Sequence, residues 1–371
     1  MQRREFLLSA GALSAGGLAA GYFSRDGLQS TYLPAPTYSI IPVVGDGQWI
    51  WTEPPKEGTG YLEPRSYSLD VGIELEGTGS ATRIKATTAA PVKLPEQEIE
   101  SFKVETQNCD AALRAASNEA GQLVLAAGGI EKGQFIRAVA RYRLKISKTY
   151  QAYERDRFAA VQKVPKEAGP CLYDTPGIQT RDKAVRDIVA KLVSDGDHPW
   201  DKAKKFHAWV WENIKPQVGY FTSVLAALKT RKGDCEERAA VFVAFCRAAG
   251  IPARLVWVPN HNWAEFWLHD ESGKGHWIPS HTSAYSWFGW TGAHELVLQK
   301  GDNVSVPEER KPLRLLADWA QWQGARPKMR YVAELKPLVD SGDAGPGART
   351  KDQKGEWVVV SDHPADKTGR K

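Results

Sequence analysis

Cysteine is scarce: the 371 residues hold four, at positions 109, 171, 235 and 246, far too few for a disulfide scaffold even in an oxidising compartment. The fold must therefore rest on its apolar core. Cys109 and Cys171 lie outside the strongest helical segments, and spacing alone does not decide whether they pair. Nor is there a run of lysine or arginine. The net charge of +5 is scattered along the chain, which removes nucleic acid from the partners to be expected. Beyond the N-terminus no apolar stretch is long enough to cross a membrane, and no internal repeat is visible. What remains is an ordinary globular composition, 42% hydrophobic and 25% charged, with length for about two domains. The fourteen tryptophans are the exception. Many crowd into Trp257 to Trp290, which fits a bulky core better than a wide apolar cleft.

The chain opens with Arg3-Arg4-Glu5-Phe6-Leu7-Leu8, followed by a Gly/Ala/Ser/Leu stretch without charge up to about Phe23. Paired arginines before a mildly hydrophobic, Gly-rich segment form the pattern of a twin-arginine export signal, an address for moving folded protein. Residues 1–29 are set aside on this ground, as a signal or, if uncut, as a membrane anchor. A periplasmic location, soluble or anchored, is the expectation.

From about Arg65 to Ile146 apolar residues alternate, as in Tyr67-Leu69-Val71-Ile73-Leu75, between breaks of Gly, Pro and Asn. A period of two with such breaks predicts an antiparallel β-sandwich, placed at 35–150. Phe135 to Leu144 keeps that period, with arginines on the wet face. After Pro165, Pro170 and Pro176 the period changes. Ala184, Val185, Ile188, Val189, Leu192 and Val193 form the stripe of an amphipathic helix. A second helix opens at Pro199, the favoured first helical position, and presents Ala203, Phe206, Trp209, Val210 and Ile214, with His207 as a surface or half-buried bystander. A third, short helix covers Ser223 to Lys229. The helical segment and the strands after it make a second domain at 170–310, so the fold class is α+β, helices packed on an antiparallel sheet. An extension follows at 311–371; from about 340 it is rich in Gly, Asp, Lys and Pro, the composition of a disordered tail.

The most informative run is Gly233 to Pro252. Asp234 is a good N-cap, Glu237 sits where a capping box needs it, and Gly250 and Pro252 supply the stop. Between them the residues are apolar nearly all round, as in a helix buried at the centre of a domain. Cys235 falls in its first turn, where free N–H groups and the helix dipole favour an anion, and a thiolate is the reactive form of cysteine. Asp234, Glu236 and Glu237 oppose that charge; Lys232 and Arg238 support it. Cys246, eleven residues on, returns to nearly the same face but about 16 Å along the axis, so the pair can form neither a disulfide nor a shared metal site. A strand follows at Ala253 to Val258, then a hairpin whose first strand starts at His261 and whose second returns through His276 to His281.

Gly-Asp-Cys at a helix start, Gly250-Ile251-Pro252-Ala253-Arg254 at its end, His261-x-Trp263-Ala264-Glu265 and Trp277-x-Pro279 together resemble the transglutaminase-like superfamily, over roughly Asp182 to Pro307. The sandwich before them resembles the N-terminal domain often fused to bacterial members. The resemblance implies a papain-like transglutaminase core with Cys235 as nucleophile, His261 as general base and acid, and a carboxylate orienting the imidazole. At the position of that carboxylate this chain has His281, preceded by Ser280. His281 is taken as the orienting group, with Glu265 as the competitor on the strand of His261.

The expected activity is cleavage or transfer of peptide or isopeptide amides through a Cys235 thioester, with the backbone N–H of Cys235 and an upstream donor such as Tyr220 for the oxyanion. Two other readings stand beside it: an inactive transglutaminase-like binding module, and a protein-glutamine transamidase. The expected partner is a peptide or protein substrate; the oligomeric state is left open. Five of the eight histidines lie between His261 and His294, yet no His/Cys/carboxylate spacing matches a recognised zinc motif. Neither metal nor cofactor is expected.

Overall fold

The computed structural model describes residues 50–338 apart from 118, 220, 260, 284 and 317, and outside that span only 22–23, 27–32, 39–40, 348–351 and 357–360. Alternation dictates the first unit. Leu28–Tyr32 (β1), Gly60–Glu76 (β2), Ala81–Ala90 (β3), Gln97–Gln107 (β4), Asp110–Ala116 (β5), Ala120–Ile130 (β6) and Phe135–Tyr150 (β7) divide between two sheets. In β2, Tyr67, Leu69, Val71, Ile73 and Leu75 are all buried. They share one core with Ile136, Ala138, Ala140, Tyr142, Leu144 and Ile146 of β7 and with Ile84, Leu123 and Leu125 of the other sheet. The charged residues between them face water, where Arg137 pairs with Glu74, Arg141 with Asp70 and Arg143 with Glu100.

The second unit follows from the change of period. Helices α1 (Lys183–Leu192), α2 (Pro199–Asn213), α3 (Val224–Thr230) and α4 (Cys235–Ala248) precede a five-stranded antiparallel sheet. Its strands are β8 (Ala253–Val258), β9 (His261–His269), β10 (Gly275–Thr282), β11 (Ser286–Phe288) and, after the short strand β12 (Trp290–Thr291), β13 (Gln299–Lys300). The sheet order is β11-β10-β9-β8-β13. Helix α4 lies at the centre of this unit. Its apolar residues share a core with Val185, Phe206, Val210 and Val224 of the other helices and with Leu255, Ala264, Phe266 and Ile278 of the sheet. Thirteen of its fourteen residues are buried, which is why its sequence is apolar all round and shows no stripe.

Residues 319–337, set in the C-terminal extension by the sequence reading, return to the first unit. Trp319–Gly324 (β14) inserts between β1 and β3, and Lys328–Pro337 (β15) pairs with β2 along its length. Trp319, Ala320 and Trp322 are buried there. The segments expected to be an export signal and a disordered tail lie largely outside the described residues; within the tail, Ala348–Lys351 pairs with Trp357–Val360. No described helix is long and apolar enough to cross a membrane.

The two units meet across buried charge. Lys300 holds Glu96 at 2.6 Å and Glu265 at 3.0 Å; Arg254 holds the same Glu265 at 2.7 Å and Glu119 at 2.8 Å. Glu96 and Glu119 come from the two-sheet unit, the other three from the second. Glu265 is held below the usual carboxylate range because Lys300 and Arg254 outweigh its burial. Lys300 is in turn raised by Glu265 and Glu96, which outweigh its burial and the neighbouring Arg254. Removing one member of such a group leaves buried charges uncompensated. Lys300→Met should cost about 3–5 kcal/mol in urea unfolding, whereas a cost under about 1 kcal/mol would show that the network does not join the units.

Candidate active site

Helix α4 starts as its sequence specifies. The Asp234 side chain accepts from the Glu236 N–H at 2.8 Å, and Glu237 accepts from the Asp234 N–H at 3.1 Å, closing the capping box. Gly233 is required beside it: a Cβ there would stand 2.4 Å from the Glu237 Cβ, closer than real contacts allow. Cys235 is the first residue of the helix and only 7% exposed. All four cysteines are free thiols.

The thiol is not an anion at rest. Burial pushes its pKa well up, with Asp234, Glu236 and Glu237 adding to the shift, and the backbone N–H of Asn262, which bonds the sulfur, only partly opposes them. The favourable helix start is thus outweighed by desolvation and three carboxyl neighbours. Arg238, one turn along, is the nearby cation. It is buried, its Nη2 donates to the Trp211 carbonyl at 3.3 Å, and its guanidinium lies 5.0 Å from the Trp211 ring centroid. Burial pushes it down to about 10 while the Cys235 sulfur draws it up. No described carboxylate forms an ion pair with it, so its charge is free to support a thiolate once one forms.

Asn262 is the second residue of β9, and His261 the first, opposite Val258 across the hairpin. The N–H that reaches the sulfur therefore belongs to the residue next to the predicted base. His261 is half-buried, but its Nε2 is sealed from water and has no hydrogen-bond partner. Burial lowers its pKa to about 4, so a neutral thiol sits near a neutral imidazole.

His281 lies beside it on β10, with ring centroids 6.2 Å apart and 29° between planes. It is fully buried, stacked on Trp263 at 4.6 Å and edge-on to Trp287 at 5.0 Å. Burial, with His261 and His207 adding, holds its pKa well below the usual imidazole range. The tryptophans thus fix its ring, and those of the hairpin region, from Trp257 to Trp290, are core except for the half-buried Trp277.

Sequence reasoning missed Glu295. Its Oε2 approaches His281 Nε2 to 3.8 Å, both groups are buried, and Thr291 Oγ1 is 3.5 Å from the same nitrogen. Burial pushes the Glu295 carboxyl up to about 8, with the Trp263 side chain pulling the other way. Glu295 sits in the irregular connection between β12 and β13, where no periodicity marks it. Glu265, the competitor for the third role, is committed to Arg254 and Lys300.

Two other histidines are also buried. His207, against expectation, is bonded through its ring nitrogens to Ser280 Oγ and Ser286 Oγ, both at 3.0 Å. His276 is paired with Asp270 at 2.8 Å. Tyr220 lies outside the described residues.

The thiols differ in access as well as place, since Cys246 is fully buried three turns inside α4. Iodoacetamide should therefore modify Cys235 faster than Cys246 in the folded protein, by peptide mapping after partial labelling. Equal rates would remove Cys235 as a special thiol.

Comparison with known proteins places these residues in a family. Residues 186–282 match the family model of the transglutaminase-like superfamily, a span that holds Cys235, His261 and His281. A candidate cysteine protease from Cytophaga hutchinsonii has a similar fold, with a TM-score of 0.52 at 14% identity, over 75% of this chain and 92% of that one. A candidate protease from Parabacteroides distasonis aligns at 12% identity with a TM-score of 0.24, over 60% of this chain and 44% of its own. No curated protein matches the chain. Residues 186–282, the segment that carries the buried helix and the histidine hairpin, belong to the transglutaminase-like superfamily.

Proposed function

We propose that the chain is a thiol hydrolase of peptide or isopeptide amides, built on a papain-like core fused to a β-sandwich. The observation that carries this reading is the junction of Cys235 with β9: the sulfur takes the Asn262 N–H, and His261 is the adjoining residue. His261 takes the thiol proton as sulfur attacks the amide carbonyl, because the resting groups are both neutral and no ion pair is formed in advance. The oxyanion faces the backbone N–H of Cys235, one of the first-turn donors without an intrahelical acceptor. His261 returns the proton to the leaving amine. Water, deprotonated by the same imidazole, then cleaves the thioester. His281 fixes the His261 ring, and Glu295 stands behind His281 as the carboxyl of the series. The Arg3-Arg4 segment completes the proposal with export to the periplasm.

His261→Ala should lower turnover about 10²- to 10⁴-fold, as loss of a general base does. His281→Ala and Glu295→Gln should each lower it about 10- to 100-fold, since they act through His261. A silent His281→Ala beside a severe Glu265→Ala would transfer the orienting role to Glu265.

Hydrolysis is preferred to transamidation because amine transfer needs an enclosed second subsite that excludes water. The acidic residues beside Cys235 are already used: Asp234 and Glu237 in the cap, Glu236 in an ion pair with Arg314. Purified protein given a glutamine peptide and excess primary amine should release ammonia with little amine incorporation. Stoichiometric, Cys235-dependent incorporation would assign a transamidase. Absence of both products would favour a binding module, the reading suggested by a histidine in place of the family's aspartate.

A further inference from the structure

We propose that His261, His281 and Glu295 form a binding site for one zinc-type divalent cation. One donor atom from each lies within 4.8 Å of one from each of the others. Of their atoms, His261 Nε2 and Glu295 Oε2 are buried without a hydrogen-bond partner, and His281 Nε2, which faces Glu295, has only Thr291 Oγ1 at 3.5 Å. Buried polar atoms left unpaired are costly, and the unpaired His261 Nε2 and Glu295 Oε2, in a group whose donor atoms lie this close, call for a common partner. Two imidazoles and a carboxylate are the donor set that borderline cations such as Zn²⁺ accept, with a fourth position left for water. Bonds of 2.0–2.1 Å place neighbouring ligands of a tetrahedral zinc about 3.4 Å apart; His281 Nε2 and Glu295 Oε2 stand at 3.8 Å. Closure is small and falls on the right residues. His281 is held between Trp263 and Trp287, whereas His261 begins a hairpin strand and Glu295 lies in an irregular connection. The intervals along the chain, 20 and 14 residues, explain why no metal spacing shows in the sequence.

The site itself is independent of the proposed chemistry; its consequence rests on that reading. A neutral imidazole bound to metal through one nitrogen carries its proton on the other. His261 then has no lone pair for a thiol proton. An occupied site would hold Cys235 inactive, and a chelator would release it.

The test starts from chelator-treated full-length protein titrated with Co²⁺ and Zn²⁺. One ion per chain is expected, with the visible absorption of four-coordinate cobalt and no thiolate charge-transfer band. His281→Gln and Glu295→Gln should each weaken binding at least about 10-fold, and Cys235→Ser should leave it unchanged. Zinc should slow iodoacetamide labelling of Cys235, with recovery on chelation. The proposal fails if the unaltered protein retains no ion, if a charge-transfer band assigns the thiol as ligand, or if both variants bind as tightly as the parent. The cobalt spectrum of the parent needs no variant to fold. Metal binding without Cys235 reactivity would leave this site standing and remove the acyl-transfer reading.

Discussion

The stretch from Trp290 to Lys300 is gripped from both sides, and the surroundings of His261 depend on that grip. Trp290 and Thr291 pair with Tyr150 and Thr149 of β7. His294 Nε2 meets the Glu63 carbonyl at 2.7 Å, and the buried Gln97 side chain bonds both the N–H and the carbonyl of Val297. On the other side Leu298 donates to the Trp257 carbonyl, and Lys300 ends in the buried ion network. Glu295 rides on this stretch. An irregular segment can place a carboxyl at 3.8 Å from a buried imidazole only if its backbone has partners along its length. Those partners belong mostly to the two-sheet unit.

The role of that unit is then more than attachment. It supplies the back support for a group near His281, as well as Glu96 and Glu119 for the charges that flank β8 and β9. Burying Lys300, Arg254 and Glu265 in one network contributes little to net stability compared with apolar packing. What it does specify is register, since each carboxylate accepts from a fixed cation and a slipped interface would strand all of them.

Much of this was legible in the sequence wherever the signal is local. The α4 helix, its Asp234 cap, its Gly250 stop and the place of Cys235 in the first turn all follow from residues within one or two turns of each other. The alternation of Tyr67 to Leu75 likewise fixed which face of β2 is buried, and His261 was placed at a strand start by the hairpin that follows it. Glu295 was not legible, because its role comes from contacts between segments far apart in sequence and its own segment has no period. Burial of His207 was missed for a related reason. Its partners, Ser280 and Ser286, lie more than seventy residues away, so the helical stripe around it carried no trace of them.

The insertion of β14 between β1 and β3 has a consequence for the order in which the protein can fold. Until residue 324 has been synthesised, one sheet lacks an interior strand, and until residue 337 the other lacks the strand that covers β2. Everything from residue 151 to 318, the helices and the histidine hairpin included, must wait as an insertion inside an incomplete domain. Pairings that span most of the chain form slowly and leave open strand edges meanwhile. Completion of both sheets therefore waits for strands that are made after the whole helical unit.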